Sequence, residues 1–152
     1  MNMKGETLIE VLVALTIVVV IITAIAVLGV SSLGNSQFIE NQGKSTKYAQ
    51  EGMETIRSLR NSDYPGFASY TGTYCLPSGV ATLNSSLTCT TPNIDNVYIR
   101  TVSIIQDGGC GTNLAKATVT VSWTDRKCGS GTFCHKSVLT SCLSTVSPIQ
   151  GP

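Results

Sequence analysis

The chain has 152 residues, the length of one modest domain with an additional segment. Its net charge of +1 argues against the broad basic surface of a dedicated nucleic-acid-binding protein. Aromatic residues make up only 6% of the chain, so we expect a β-rich domain with a small apolar core. The charge is uneven, because every Lys and Arg except Lys4 lies beyond residue 40.

The first element in chain order is an uncharged apolar run of 23 residues, from Val11 to Leu33. A helix of that length spans roughly 35 Å, enough to cross a bilayer core of about 30 Å. Lys4 precedes the run, so the positive-inside rule places the N-terminus in the cytoplasm. A secretory signal peptide is the alternative, with Ala24 and Ala26 as a small-residue cleavage site, but its apolar region is usually shorter.

Glu10 borders the apolar run, and an ionisable group inside a membrane span usually has a partner or a function. A plain single-span anchor would explain the length of the run and would leave Glu10 at the membrane interface. A second explanation begins from residues 4–15, KGETLIEVLVAL. This stretch closely resembles the start of a type IV prepilin, the precursor of pilin and pseudopilin subunits.

The resemblance implies a basic leader, residues 1–5, which a membrane-embedded prepilin peptidase removes by cutting between Gly5 and Glu6. Glu10 is then the fifth residue of the mature chain, where the family has a glutamate. In a packed filament this carboxylate faces the new amino group of a neighbouring subunit and sets the register of assembly. The family also N-methylates the new terminus, here Glu6, although it usually has Phe or Met at that position.

Residues 6–34 are thus predicted to form the transmembrane and assembly helix, and residues 35–62 its extracytoplasmic continuation. Apolar or small residues recur there at steps of three and four, which is helical periodicity. They are Phe38, Ser45, Ala49, Gly52, Met53, Ile56 and Leu59. The charged residues beside them are predicted to be solvated, namely Glu51, Glu54, Arg57 and Arg60. The helix is expected to end before Pro65, because the residue preceding a proline disfavours helical backbone.

Glycines interrupt this helical pattern at positions 34, 43 and 52. Each costs about 1 kcal/mol relative to alanine in a helix. They are interpreted as bends or as points of close approach between neighbouring helices.

Residues 63–152 are predicted to form a globular β domain. Strands are expected at 97–105, 116–124 and 135–142. In the second of these, hydroxyl residues alternate with four residues predicted to face inward, Ala117, Val119, Val121 and Trp123. Residues 67–95 are expected to be an irregular link. The fold class is therefore α+β, a long N-terminal helix packed on a small antiparallel sheet.

All six cysteines lie at or beyond residue 75, behind the apolar run. An even number in that position predicts disulfides in an oxidising compartment. Alternating strand directions place Cys110 with Cys142 at one end of the sheet and Cys128 with Cys134 at the other. Cys75 and Cys89 would close a loop in the link, although the count alone leaves other pairings open. The alternative is a metal site of Cys128, Cys134, His135 and Cys142, but its spacing does not match usual zinc motifs, so we expect no metal.

Basic residues surround the loop between the last two strands: Arg126, Lys127, His135 and Lys136, with Trp123 and Phe133 nearby. Such a patch could contact DNA, since cations neutralise phosphates and aromatic rings stack on bases. A solvated turn beside a core tryptophan is the simpler interpretation. Two interpretations of this patch therefore stay open: contact with DNA, or a solvated turn without a nucleic-acid partner.

The sequence contains no catalytic constellation, and its single histidine limits histidine-based chemistry, so we predict neither an enzyme nor a cofactor. The resemblance implies that the protein is a structural subunit of a type IV pilus or pseudopilus. We expect it to be a minor rather than a major subunit. Its partners would be other pilin subunits, the prepilin peptidase, the assembly machinery and, before assembly, the bacterial cytoplasmic membrane. The alternative is a single-span surface protein with a disulfide-bonded binding domain and no filament role.

Overall fold

A computed structural model describes residues 6–83, 89–129 and 132–145. The chain divides into two compact units, Met1–Glu40 and Asn41–Pro152. Helix α1 comprises Glu6–Ser62 and helix α2 Tyr64–Phe67; the strands are β1 (Gly72–Cys75), β2 (Ile99–Gln106), β3 (Leu114–Trp123) and β4 (His135–Ser144). The fold is α+β, as the sequence predicts.

The first unit is helical from Glu6 to Glu40, and its apolar side chains are exposed apart from the half-buried Phe38. Two threonines within the apolar run bond to the backbone of their own helix. Thr16 donates to the carbonyl of Val13 at 2.8 Å, and Thr23 donates to Val20 at 2.9 Å. Their hydroxyls therefore have hydrogen-bond acceptors without help from water or from another chain.

Helix α1 ends at Ser62, before the Tyr64-Pro65 step, as predicted. The chain does not leave helical conformation there, because the four-residue helix α2 follows at once. Asp63 caps this helix by accepting a hydrogen bond from the amide of Gly66 at 3.1 Å. A proline is tolerated in the first turn, since its missing N–H would have no partner there.

The second unit contains a four-stranded antiparallel sheet in the order β1-β2-β3-β4. The predicted strands at 97–105, 116–124 and 135–142 correspond to β2, β3 and β4. The prediction of a wholly irregular link at 67–95 is wrong, because β1 lies within it and pairs Cys75 with Thr101. A strand of four residues that begins with a glycine is too short to show an alternating pattern.

Strand β2 begins two residues later than predicted, since a tight turn occupies its expected start. Asp95 and Asn96 both have positive φ, 50° and 55°, and Ile94 pairs with Tyr98 across the turn. Short polar side chains tolerate this left-handed backbone better than β-branched ones. The β-branched Val97 thus belongs to a hairpin turn.

The core of the second unit lies between the C-terminal part of α1 and one face of the sheet. Strand β3 alternates as predicted, with Ala115, Ala117, Val119, Val121 and Trp123 all fully buried. From the helix, Met53 and Ile56 are buried, whereas Leu59 is only half-buried. Further buried members are Ala49, Phe67, Tyr74, Leu76, Ile94, Tyr98, Val102, Ile104 and Leu143.

Small residues on α1 bring the helix close to the sheet. A Cβ atom at Gly52 would lie 3.0 Å from both Arg100 Cδ and Val119 Cγ1. The buried hydroxyl of Ser45 lies 2.6 Å from that of Ser137 in β4, and Gln42 Nε2 donates to Ser137 at 2.9 Å. Gly52 is thus a point of close approach, to the sheet rather than to another helix.

Replacing Gly52 with valine is expected to lower the free energy of unfolding of the second unit by about 1–3 kcal/mol, since the added atoms overfill a packed interface. The measurement is chemical denaturation of the full chain in detergent, followed by fluorescence of its single tryptophan, Trp123.

The matched control is Gly43→Ala, because nothing lies within 4 Å of a Cβ at that helical position. This change should leave stability unaltered or raise it by up to about 1 kcal/mol. Equal effects of the two substitutions would contradict the close approach at Gly52.

Candidate functional site

One helix of the described residues is long and apolar enough to cross a membrane. It lies near the N-terminus, and none of its most apolar window is buried within the chain. Large apolar side chains are exposed all along it, for example Leu8 (63%), Ile22 (60%) and Val30 (72%). An exposed apolar surface of this size needs lipid or protein to cover it.

Glu10 lies on the first turns of this helix, and its side chain is exposed. It is the last charged residue before Glu40, so the part of the helix between these two residues carries no charge. Glu6 is the first residue of α1, while Gly5 and the rest of the predicted leader, residues 1–5, lie outside the described residues. The cleavage and N-methylation positions therefore stay predictions.

Three disulfides occur in the sheet unit, and they join the cysteines that the strand order suggests. The bonds are Cys75–Cys89, Cys110–Cys142 and Cys128–Cys134. Since Cys142 is bonded to Cys110, the metal set of Cys128, Cys134, His135 and Cys142 does not form. No described cysteine is free.

The loop between β3 and β4 gathers four residues that we name the hairpin-tip cluster: Asp125, Cys128, Cys134 and His135. One side-chain ligand atom from each lies within 4.8 Å of the others. His135 Nε2 is 3.0 Å from Asp125 Oδ2, and the imidazole lies against the ring of Trp123 with centroids 5.4 Å apart. Sequence reasoning missed Asp125, because its neighbours in the cluster come together only through the hairpin.

The carboxyl group of Asp125 is a hydrogen-bond acceptor on several sides. Burial raises its pKa. The amide of Lys127, which donates to Oδ1 at 2.8 Å, and the neighbouring His135 lower the pKa by a larger amount. The net effect places the pKa of Asp125 below its ordinary value. Asp125 is therefore an anion at neutral pH.

The basic residues of this loop are solvent-exposed. Arg126 and Lys127 lie in the turn after β3, and Lys136 lies on the outer face of β4 opposite Ser122. Trp123 is fully buried in the core, so its ring is not available to stack on a base. A solvated turn beside a core tryptophan describes this part of the chain, and DNA contact stays a prediction without an aromatic platform from Trp123.

Arg100 is a buried residue that the sequence analysis did not single out. Only 1% of its surface is exposed. Its guanidinium donates to the carbonyls of Tyr48 (2.9 Å) and Leu76 (2.9 Å) and to the carbonyl of Pro77 (3.1 Å). It also lies 3.3 Å from Glu51 Oε1. The alternation of the strand could have indicated that Arg100 is buried, since it shares its strand face with the buried Val102 and Ile104.

Two opposing effects act on the pKa of Arg100, and the net effect is to lower it. Burial lowers the pKa of its guanidinium, and the neighbouring carboxylate of Glu51 acts in the opposite direction. Glu51 was predicted to be solvated; it is exposed on one side and bonded to Arg100 on the other. A buried cation is tolerated only when it is hydrogen-bonded, and here each of the three guanidinium nitrogens has an acceptor.

Comparisons with protein families, with curated proteins and with solved structures found no match.

Replacing Arg100 with methionine is expected to lower the free energy of unfolding by about 3 kcal/mol or more, since carbonyls beneath the sheet lose their donors. The control Arg57→Met removes an exposed guanidinium that bonds Glu54 on the helix surface, and should cost less than about 1 kcal/mol. Denaturation of both full-length variants in detergent measures the difference. Indistinguishable stabilities would show that the buried cation does not hold this core together.

Proposed function

We propose that this protein is a structural subunit of a type IV pilus or a related pseudopilus, more a minor than a major component. It catalyses no reaction and needs no cofactor. Its role is to pack its N-terminal helix into a bundle of like helices while its disulfide-bonded sheet domain remains outside the membrane.

The observation that carries this proposal is the exposed carboxylate of Glu10 at the start of an uncharged, exposed apolar helix. In lipid, a lone carboxylate at this position is unfavourable. Cleavage after Gly5 would create an amino group on Glu6, and in a helix bundle the Glu10 carboxylate of one subunit can bind the amino group of the next. The pair satisfies both charges in a setting that excludes water.

The pairing also gives assembly a register. A subunit docked out of place would leave a charge buried without its partner, which costs about 3–5 kcal/mol. Correct docking avoids this cost, so the charge pair would select one axial position between adjacent helices. The backbone-bonded hydroxyls of Thr16 and Thr23 impose no comparable requirement, because each already has an acceptor within its own helix.

The proposed sequence of events places the chain first in the bacterial cytoplasmic membrane, with its N-terminus in the cytoplasm. A prepilin peptidase then removes residues 1–5, and a membrane-embedded assembly machinery inserts the helix into the growing filament. The three disulfides support an oxidising, extracytoplasmic location for the sheet domain. The rival function is a single-span surface protein whose helix stays in lipid.

Co-expression of the full chain with a prepilin peptidase tests the first step. We expect the intact mass to fall by that of MNMKG, with or without one added methyl group, and N-terminal sequencing to begin at Glu6. A matched culture expressing an inactive peptidase should retain the full mass. A chain that still begins at Met1 in the presence of active peptidase would favour the surface protein.

Substitution of Glu10 by alanine tests the charge pair in an assembling strain. We expect the E10A chain to be cleaved normally and to be absent from sheared filaments, since docking loses the pair that sets its register. The control is Glu54→Gln, which removes an exposed carboxylate from the same helix outside the apolar run. Immunoblots of filament and membrane fractions measure both, and normal incorporation of E10A would contradict the role of Glu10.

A further inference from the structure

The hairpin-tip cluster places four metal-ligating side chains at one end of the sheet. Asp125 follows β3 by two residues, and His135 is the first residue of β4, paired in register with Trp123. Cys128 and Cys134 lie on the loop between them. Within residues 6–83, 89–129 and 132–145 this is the only group of three or more such side chains with ligand atoms close together.

We propose that the dithiol form of Cys128 and Cys134 binds one Zn²⁺ together with Asp125 and His135. Two thiolates, an imidazole nitrogen and a carboxylate oxygen are all ordinary zinc ligands, and four of them complete a tetrahedral site. The proposal concerns a state that precedes the disulfide, and it is independent of filament assembly.

The geometry already approaches that of such a site. Zinc bonds of about 2.0–2.3 Å place tetrahedral ligand atoms roughly 3.3–3.8 Å apart. Asp125 Oδ2 and His135 Nε2 are 3.0 Å apart, and all four ligand atoms lie within 4.8 Å of one another. The Cα atoms of the two cysteines are 5.6 Å apart, so rotation of their side chains can separate the sulfurs without moving the strands.

Two of the ligands are held in place by contacts that do not involve the sulfurs. The amide of Lys127 donates to Asp125 Oδ1 at 2.8 Å, which leaves the other carboxylate oxygen facing the imidazole. The ring of His135 rests against the buried ring of Trp123. Ligands oriented in this way lose little freedom on binding a metal, which favours affinity.

Zinc and the disulfide would compete for the same two sulfur atoms. A dithiol reductant opens the bond by giving up two electrons and two protons, forming its own disulfide and two cysteine thiols. Zinc binding then releases the two thiol protons, because thiolates are the ligands. Oxidation of the pair removes both thiolates and expels the metal.

Every newly made chain passes through the dithiol form. Zinc would keep the two hairpin sulfurs together and away from the other four cysteines until oxidation. Those are Cys75, Cys89, Cys110 and Cys142. The site would thereby favour formation of the Cys128–Cys134 bond over pairings with more distant cysteines.

The test compares the oxidised full chain in detergent with the same chain reduced by dithiothreitol and freed of it under anaerobic conditions. Zinc chloride is titrated in competition with a chromophoric chelator, and Co²⁺ serves as a spectroscopic substitute. We expect one Zn²⁺ per reduced chain, no binding to the oxidised chain, and thiolate-to-cobalt absorption. Asp125→Asn and His135→Gln should each weaken binding at least about tenfold.

Asp107→Asn is the matched control, since Asp107 is an exposed carboxylate that accepts a bond from the amide of Asn113 at another turn. It should leave zinc affinity unchanged. Equal affinity of D125N, H135Q and the wild-type chain, or zinc retained by the oxidised chain, would overturn the proposal.

A second measurement covers the case in which full reduction unfolds the sheet. Zinc should then restore the near-ultraviolet circular dichroism of Trp123 in the wild-type and D107N chains, and it should protect Cys128 and Cys134 from alkylation. The D125N chain should show neither effect. Failure of zinc to protect these two cysteines in the wild-type chain would also overturn the proposal.

Discussion

The second unit depends on the hydrogen bonds that the buried guanidinium of Arg100 makes to backbone carbonyls. It extends from β2 and bonds the carbonyl of Tyr48 on the helix and the carbonyls of Leu76 and Pro77 in the segment after β1. A charge without partners at this depth would be strongly unfavourable. Three segments that are distant in sequence must therefore be in place together. Arg100 thus couples the folding of the helix, of β2 and of the segment after β1.

The small residues of α1 make this arrangement possible. Gly52 lets the helix approach until the aliphatic part of Arg100 and the side chain of Val119 fill the space that a Cβ would take. Ser45 allows a similar approach to Ser137 in β4. At the opposite edge of the sheet, Cys75 anchors the segment whose next residues supply two of the acceptors for Arg100. Helix, sheet and disulfide thus support the same core.

Sequence patterns predicted the fold class, the strand at 116–124 and the end of α1, because strong alternation and a proline leave few alternatives. They missed β1, which has only four residues, and the turn at Asp95 and Asn96, which takes left-handed backbone. Arg100 was missed because apolar residues occur on both faces of 97–105, so the inward face was ambiguous. The hairpin-tip cluster needs two strands in register, and that information lies in the tertiary structure.

All six cysteines lie beyond the end of α1, so every covalent cross-link joins parts of the sheet domain to one another and none reaches the helix. A pulling force applied through the helix would pass into the sheet through the backbone that follows Ser62 and through packing and hydrogen bonds, such as those of Arg100, Ser137 and Tyr98. Under load these contacts are the ones that yield, while the cross-linked strands keep their connections. If force detached the helix, the disulfide-bonded sheet would keep its strands connected, and the helix could dock on it again when the force is removed.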